Sequence, residues 1–487
     1  MNSAMILYIL GHVLRIEGVL MLLPALMGLV YNESQGWVFL GMAVALFLFG
    51  FAFSFKKPKN TTIYLKEGCV ITALSWILMS FLGSLPFVIT KEIPSLIDAF
   101  FETVSGFTTT GASIMPDVEI LCHASQFWRC FTHWIGGMGV LVFLLAIIPM
   151  SGGSNINLMR AESPGPSVGK LVPKMRQTAA LLYLIYFFLT ALETMFLVFG
   201  CMPVFDSVCT AFGTAGTGGF GVYRDSMASQ TAYIQWVVTI FMIMFGVNFN
   251  FYFFLLYRYV KKAVKMSEVR VYLAVILTSI AIISINIYHQ IQSVGGSIRH
   301  ASFQVASIIT TTGFASTDFD LWPETSKIIL VILMFIGACA GSTGGGIKVS
   351  RFIILFKSIG KELKSYVHPK SVSKITMDGS PVEHEVVRSV NVFFITFMVI
   401  FTISVLIVSL DSKGLVSSFT AVAATINNIG PGLEVVGPTQ NYASFSVGSK
   451  LVMIFDMLAG RLEVFPMLML FNPKLYLTKP LIARKVK

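Results

Sequence analysis

Ten apolar runs are spaced along the chain, at 4–31, 36–55, 66–90, 126–149, 178–202, 230–257, 269–291, 325–347, 389–410 and 447–472. Each is long enough to cross a bilayer core, which takes about 20 residues. The pattern predicts ten spanning helices and an all-α polytopic membrane protein. Leu20–Leu23 is followed by no small-residue cleavage site before Tyr31, so the first run reads as a retained span, not a signal peptide.

From residue 66 onward one plan recurs four times: a span, a shorter semi-polar stretch, a Gly/Thr-rich loop and a second span. The loops read GFTTTGAS at 106–113, GTAGTGGF at 213–220, ITTTGFAS at 309–316 and INNIGPG at 426–432. The stretches before them, Asp98–Ser105, Asp206–Phe212, Ser302–Ile308 and Ser417–Thr425, are too short to span. Such a length between full spans suggests a re-entrant helix. The organisation expected is two additional spans over 1–60, then four pore repeats over 61–170, 171–265, 266–375 and 376–487.

Non-helical backbone cannot face lipid, because its amides and carbonyls would lack partners. Four such loops must therefore be buried together or line water. Packed around one axis in a pseudo-fourfold array, their carbonyls can replace the hydration shell of a cation. Glycine is needed where the backbone adopts conformations closed to residues with a Cβ, and threonine adds a hydroxyl oxygen. The short helices would aim their partially negative C-terminal ends at the pore. The expected filter residues are Thr109, Thr110 and Gly111, then Gly216, Thr217 and Gly218, then Thr311, Thr312 and Gly313, then Asn428, Ile429 and Gly430. In the second loop Gly218 is aligned with Gly111, with Gly216 as the other candidate.

Charge adds orientation. The net charge is +11, and 26 of the 35 Lys/Arg lie in the segments 56–67, 151–177, 258–270, 348–388 and 473–487. This positive-inside asymmetry puts both termini in the cytoplasm. The basic residues are scattered topology markers without a motif, so no nucleic-acid partner is implied. Charged residues make up only 12% of the chain, against about 25% in soluble domains.

Enzyme and cofactor signals are weak. The six cysteines form no CxxC pair and the seven histidines no ligand spacing. Gly216–Gly221 matches GxGxxG, but in a membrane hairpin and not between a strand and a helix. Gly341–Lys348 approaches a P-loop but has Ile347 where lysine belongs. No organic cofactor is expected.

The four glycine loops, with Thr-Thr-Thr-Gly in the first and third and Asn-Asn-Ile-Gly-Pro-Gly in the fourth, together with Ala459–Glu463, resemble the Trk/Ktr/HKT superfamily of potassium transporters. The two extra N-terminal spans resemble its TrkH branch. The resemblance implies potassium as substrate, a bacterial inner-membrane location and a homodimer with one pore per subunit. It also implies a cytoplasmic TrkA-type regulatory subunit that binds nucleotides.

Below the third filter, Gly337, Gly341, Gly344, Gly345 and Gly346 fall within ten residues. Each glycine costs a helix about 1 kcal/mol relative to alanine, so a break at mid-membrane depth is expected. It reads either as a mobile gating loop or as a close small-residue helix contact. Arg461 in the last span reads as a pore cation that bonds this loop, or as a buried partner of Asp456 or Glu463. Asp98 and Glu102 either draw cations to the mouth or brace the first pore helix. Arg15, Glu17 and Glu193 read as packing or interface residues. Two functional classes remain, a channel-like pore gated from the cytoplasm and a proton- or sodium-coupled symporter.

Overall fold

The structure is a computed structural model that describes residues 1–139, 175–369 and 374–473. The end of the 126–149 run and most of the basic segments 151–177 and 473–487 lie outside the described residues. The chain is helical nearly throughout, and its one strand pair among the described residues is a short hairpin, Thr376–Met377 with Ser380–Pro381.

The N-terminal span is broken at Met21 into Ser3–Leu20 and Leu22–Val30 and packs on Gln35–Ser54. Glycine makes this contact close. A methyl at Gly11 would crowd the Gly50 carbonyl, and one at Gly18 would crowd the Ala43 carbonyl. Small residues at such an interface let membrane helix backbones approach closely. Arg15 meets the Ser54 hydroxyl and the rings of Phe47 and Phe51. Glu33, in the turn between these spans, caps Ala124 and His123 at the start of the helix His123–Gly137.

Each repeat then has an outer helix, a pore helix, a loop and an exit helix. The outer helices are Leu65–Ile89, Met175–Phe199, Ser267–Ile291 and His384–Val408. The pore helices are Leu96–Phe107, Val204–Ala215, Val294–Ile309 and Leu415–Ile426. The third starts eight residues before the expected Ser302, because its first turns carry Gly295, Gly296, Arg299 and His300 and do not register as apolar.

The exit runs differ from expectation in one respect. The second and fourth break as well as the third, and the first ends at Gly137, with the rest of its run beyond Gly139 outside the described residues. Their first pieces are His123–Gly137, Ala232–Gly246, Glu324–Ile336 and Val447–Arg461, each 13 to 15 residues long. At 1.5 Å per residue each covers about 20–23 Å, short of the roughly 30 Å core. The second resumes as Phe249–Leu256 after a 90° bend. By length and composition six described helices can cross a membrane, or seven if that bent pair counts as one span.

Candidate functional site

The four loops share one backbone conformation. Each pore helix ends, and the second residue after it is left-handed: Thr109 (φ 55°), Thr217 (φ 54°), Thr311 (φ 61°) and Asn428 (φ 56°). The fourth is a left-handed glycine: Gly111 (φ 76°), Gly219 (φ 78°), Gly313 (φ 84°) and Gly430 (φ 96°). The residue between them donates its amide back into the helix in every repeat, from Thr110 to Ser105, Gly218 to Gly213, Thr312 to Ser307 and Ile429 to Ala424.

These glycines close a ring. A methyl on Gly111 would overlap the carbonyl oxygen of Gly218, one on Gly219 that of Thr312, and one on Gly313 that of Ile429. A methyl on Gly430 would sit 2.7 Å from the Thr110 carbonyl oxygen. Each repeat therefore offers the carbonyl before its glycine to the α-carbon of its neighbour, in the cyclic order one, two, three, four. Positive φ and close approach both demand glycine there. All four glycines line the cavity above the ring, with Tyr223, Arg224 and Tyr442 on its walls.

The second loop is thereby shifted by one residue from the sequence alignment. Gly219, not Gly218, takes the place of Gly111, while Gly218 stands where Thr110 does and Gly216 where Thr108 does. The physical reason is His133. A methyl on Gly216 would overlap the His133 carbonyl, and one on Gly218 would strike its imidazole ring at 2.5 Å. His133 bonds the Gly106 carbonyl and stacks on Phe220, so it occupies space that threonines fill in repeats one and three.

Buried polar contacts hold the ring. Glu102 in the first pore helix accepts from Arg129 Nε at 2.6 Å, Ser113 Oγ and the Ile114 amide. Arg129 also donates to the Gly221 carbonyl at 3.1 Å and lies over the Phe220 ring. Both charged groups are at most 4% exposed, so Glu102 braces two filter loops and does not face the mouth. Asp98 is likewise paired, with Lys450 at 2.6 Å. In the fourth repeat Asn428 donates to Thr110 Oγ1 and to the Met457 carbonyl, and Tyr442 donates to the Gly430 carbonyl. Lys450, Arg129, His133 and Tyr442 carry no motif, and sequence reading missed them.

Residues 337–348 form a loop between the helices Glu324–Ile336 and Val349–Val367. Its neck is closed by Gly337 and Gly346, both left-handed and so close that a methyl on either would meet the other. The arm of the loop that leads into Gly346 reaches the carbonyl ring. The Gly345 amide donates to Thr311 Oγ1 at 2.7 Å, and methyls on Gly344 and Gly345 would crowd the Thr310 and Asn427 carbonyls. Gly341 lies at the opposite side, where its carbonyl accepts the Phe249 amide. The Cys339 amide donates to the Gly246 carbonyl, so the loop docks on backbone groups freed by the break in the second exit helix.

Arg461 sits beneath the ring at the end of the fourth exit helix. It donates to the carbonyls of Thr343 at 2.8 Å, Gly136 and Gly137, joining the glycine loop to the end of the first exit helix. Lys348 adds a second cationic group, its ammonium on the Gly344 carbonyl. The two carboxylates near Arg461 in sequence have other partners: Glu463 pairs with Arg351 and Asp456 accepts from Ser404. Glu17 and Glu193 are buried in helix packing.

Four helix–pore helix–helix repeats around a shared carbonyl ring define a multi-pass membrane protein of pore-loop design. The family model for TrkH, a cation transport protein, matches residues 35–476. The chain is 37% identical over 461 residues to the Trk system potassium uptake protein TrkH of Salmonella typhimurium, covering 93% of this chain and 95% of that protein. It is 31% identical to the potassium uptake protein TrkG of Escherichia coli, over 95% of this chain and 96% of that one. The crystal structure of the potassium transporter TrkH from Vibrio parahaemolyticus superposes with a TM-score of 0.88 at 33% identity, covering 98% of this chain and all of that one. The chain belongs to the TrkH family of cation transport proteins.

Proposed function

We propose that the chain takes up potassium across the bacterial cytoplasmic membrane through a channel-like pore, with both termini in the cytoplasm. The observation that carries this reading is the closed ring of four glycine-flanked carbonyls. The ring residues are Thr109–Gly111, Thr217–Gly219, Thr311–Gly313 and Asn428–Gly430, where Gly219 replaces Gly216 of the sequence assignment. Neutral carbonyl oxygens suit a weakly hydrated monovalent cation, and the pore helices end at the ring with their partially negative ends. Potassium, rubidium and caesium are favoured over sodium and lithium.

The loop 337–348 and Arg461 form the gate. Loop backbone fills the path below the ring, and two cationic groups lie in the same place, where they repel a cation leaving the filter. Opening requires the loop and Arg461 to part. The Trk system naming of the relatives points to a multi-component system, and a homodimer controlled by a TrkA-type nucleotide-binding subunit, as the family resemblance implies, would supply the regulation. Flux of purified protein in liposomes under an imposed voltage, with no proton or sodium gradient, tests the reading. Sustained rubidium uptake supports a channel. Strict dependence on a second ion gradient refutes it in favour of symport.

A further inference from the structure

One buried carboxylate outside the filter sits at a junction of three elements. Glu268 lies in the first turn of the helix Ser267–Ile291 and is 3% exposed. Its Oε1 accepts the Ala340 amide at 2.7 Å and the Ser350 amide at 3.2 Å, one near the start of the glycine loop and one just after its end. Its Oε2 accepts from Asn248 Nδ2 at 3.2 Å, at the break of the second exit helix. Asn248 in turn caps Asn250 and stands beside Gly341. One carboxylate thus ties both ends of the loop to the surface on which it docks.

The residue before it is held from outside. The Ser267 amide donates to Asp378 Oδ1 at 2.7 Å. Asp378 and Gly379 are both left-handed, the type I′ turn of the hairpin Thr376–Met377 with Ser380–Pro381. The turn is exposed, while Ile375 and Met377 are buried beneath it. Lys357 Nζ donates to the Thr376 carbonyl at 2.7 Å and fixes the hairpin to the helix that follows the loop. The hairpin lies in the basic segment 348–388, on the face assigned to the cytoplasm.

We propose that Glu268 is the latch of the glycine loop and that the Asp378–Gly379 hairpin is the handle that releases it. This rests on the gate reading above. Glu268 is a positioning residue: it touches no permeating ion and acts through the loop backbone. Its neighbour Ser267 carries a direct backbone step between latch and handle, so a force on the hairpin tilts the first turn that holds the latch. Losing a charged acceptor that serves two amides frees the loop.

The test measures rubidium flux of the purified protein in liposomes without any cytoplasmic partner, for Glu268→Ala, Glu268→Gln, Asp378→Ala and a deletion within 339–346. Glu268→Ala should raise basal flux about tenfold or more, since hydrogen bonds to a charged group are the strong ones. Glu268→Gln keeps one acceptor oxygen for both amides and should be intermediate. Asp378→Ala, on an exposed turn that the core does not need, should raise flux several-fold. None of the three substitutions should add to the loop deletion, because all act on one element. A raised flux in the deletion with wild-type flux in Asp378→Ala overturns the proposal, even if Glu268→Ala fails to fold. A deletion at background flux refutes the gate reading itself.

Discussion

Alanine at Gly219 tests the ring directly, because sequence alignment and geometry disagree about this position. Gly219 has a φ of 78°, a conformation that costs an L-residue about 1–2 kcal/mol. The added methyl would also overlap the Thr312 carbonyl oxygen, which belongs to the ring. The neighbour must move, and the oxygen that moves is one that would face the ion. A perturbation of about 1–2 kcal/mol in ion coordination corresponds to about a five- to thirtyfold change in a ratio of affinities. The rubidium-to-sodium flux ratio in liposomes should fall by that order for Gly219→Ala, as it should for Gly111→Ser and Gly313→Ala. Gly218→Ala strikes the His133 ring, a side chain outside the ring, and should lower yield or flux more than selectivity. If Gly218→Ala abolishes discrimination and Gly219→Ala leaves it intact, the register argued from the left-handed residues is wrong.

Removing Arg461 with alanine breaks three carbonyl contacts, each worth about 1.5–3 kcal/mol when charged; basal rubidium flux without a partner should rise at least tenfold, and background flux would refute the gate. Glu102→Ala leaves Arg129 buried and unpaired, which costs about 3–5 kcal/mol, so the melting temperature in detergent should drop by several degrees; an unchanged melting temperature would count against the brace. Burial alone would raise the Glu33 carboxyl, but the amides of His123 and Ala124 and the His123 ring hold it below its ordinary value of 4.5. A depressed carboxylate stabilises the fold above its unfolded pKa and loses that contribution as pH falls through the folded one. Glu33→Gln should therefore melt lower than wild type at pH 7, and the gap should close as pH falls below 4.5 through the folded pKa; a gap that persists in acid would contradict the assignment.

How much of this was legible in sequence varies by element. The four loops and their pore helices are written in local chemistry, a Gly/Thr cluster after a short apolar stretch. The register of the second loop was also legible, by counting. Asp98 precedes Gly111 by thirteen residues and Asp206 precedes Gly219 by thirteen, a spacing that Gly218 misses by one. Against that count, Thr217-Gly218 imitates the Thr-Gly of repeats one and three, and nothing local announces His133. The Asp378–Gly379 dipeptide is a hairpin signal in plain view. Glu268 is different. It lies inside the basic segment 258–270, and its two backbone-amide partners leave no mark in the side-chain pattern.

Hydropathy hid the exit-helix breaks for a related reason: it counts apolar side chains and cannot see where the backbone ladder stops. Glycine marks each helix end, at Gly136–Gly137, Gly246, Gly337 and Gly460, yet only the third carries enough of them to stand out. The repeats therefore differ in the length of the break. Two residues separate the pieces of the second exit run and three those of the fourth, against twelve in the third. The second and fourth breaks leave backbone groups and Arg461 in contact with the third. The long one crosses below the ring and takes those groups as its partners: Gly246 and Phe249 from the second repeat, and Arg461 from the fourth, itself anchored on Gly136 and Gly137 of the first. Below four nearly equal ring loops, one elongated break thus takes its partners from the other three exit helices.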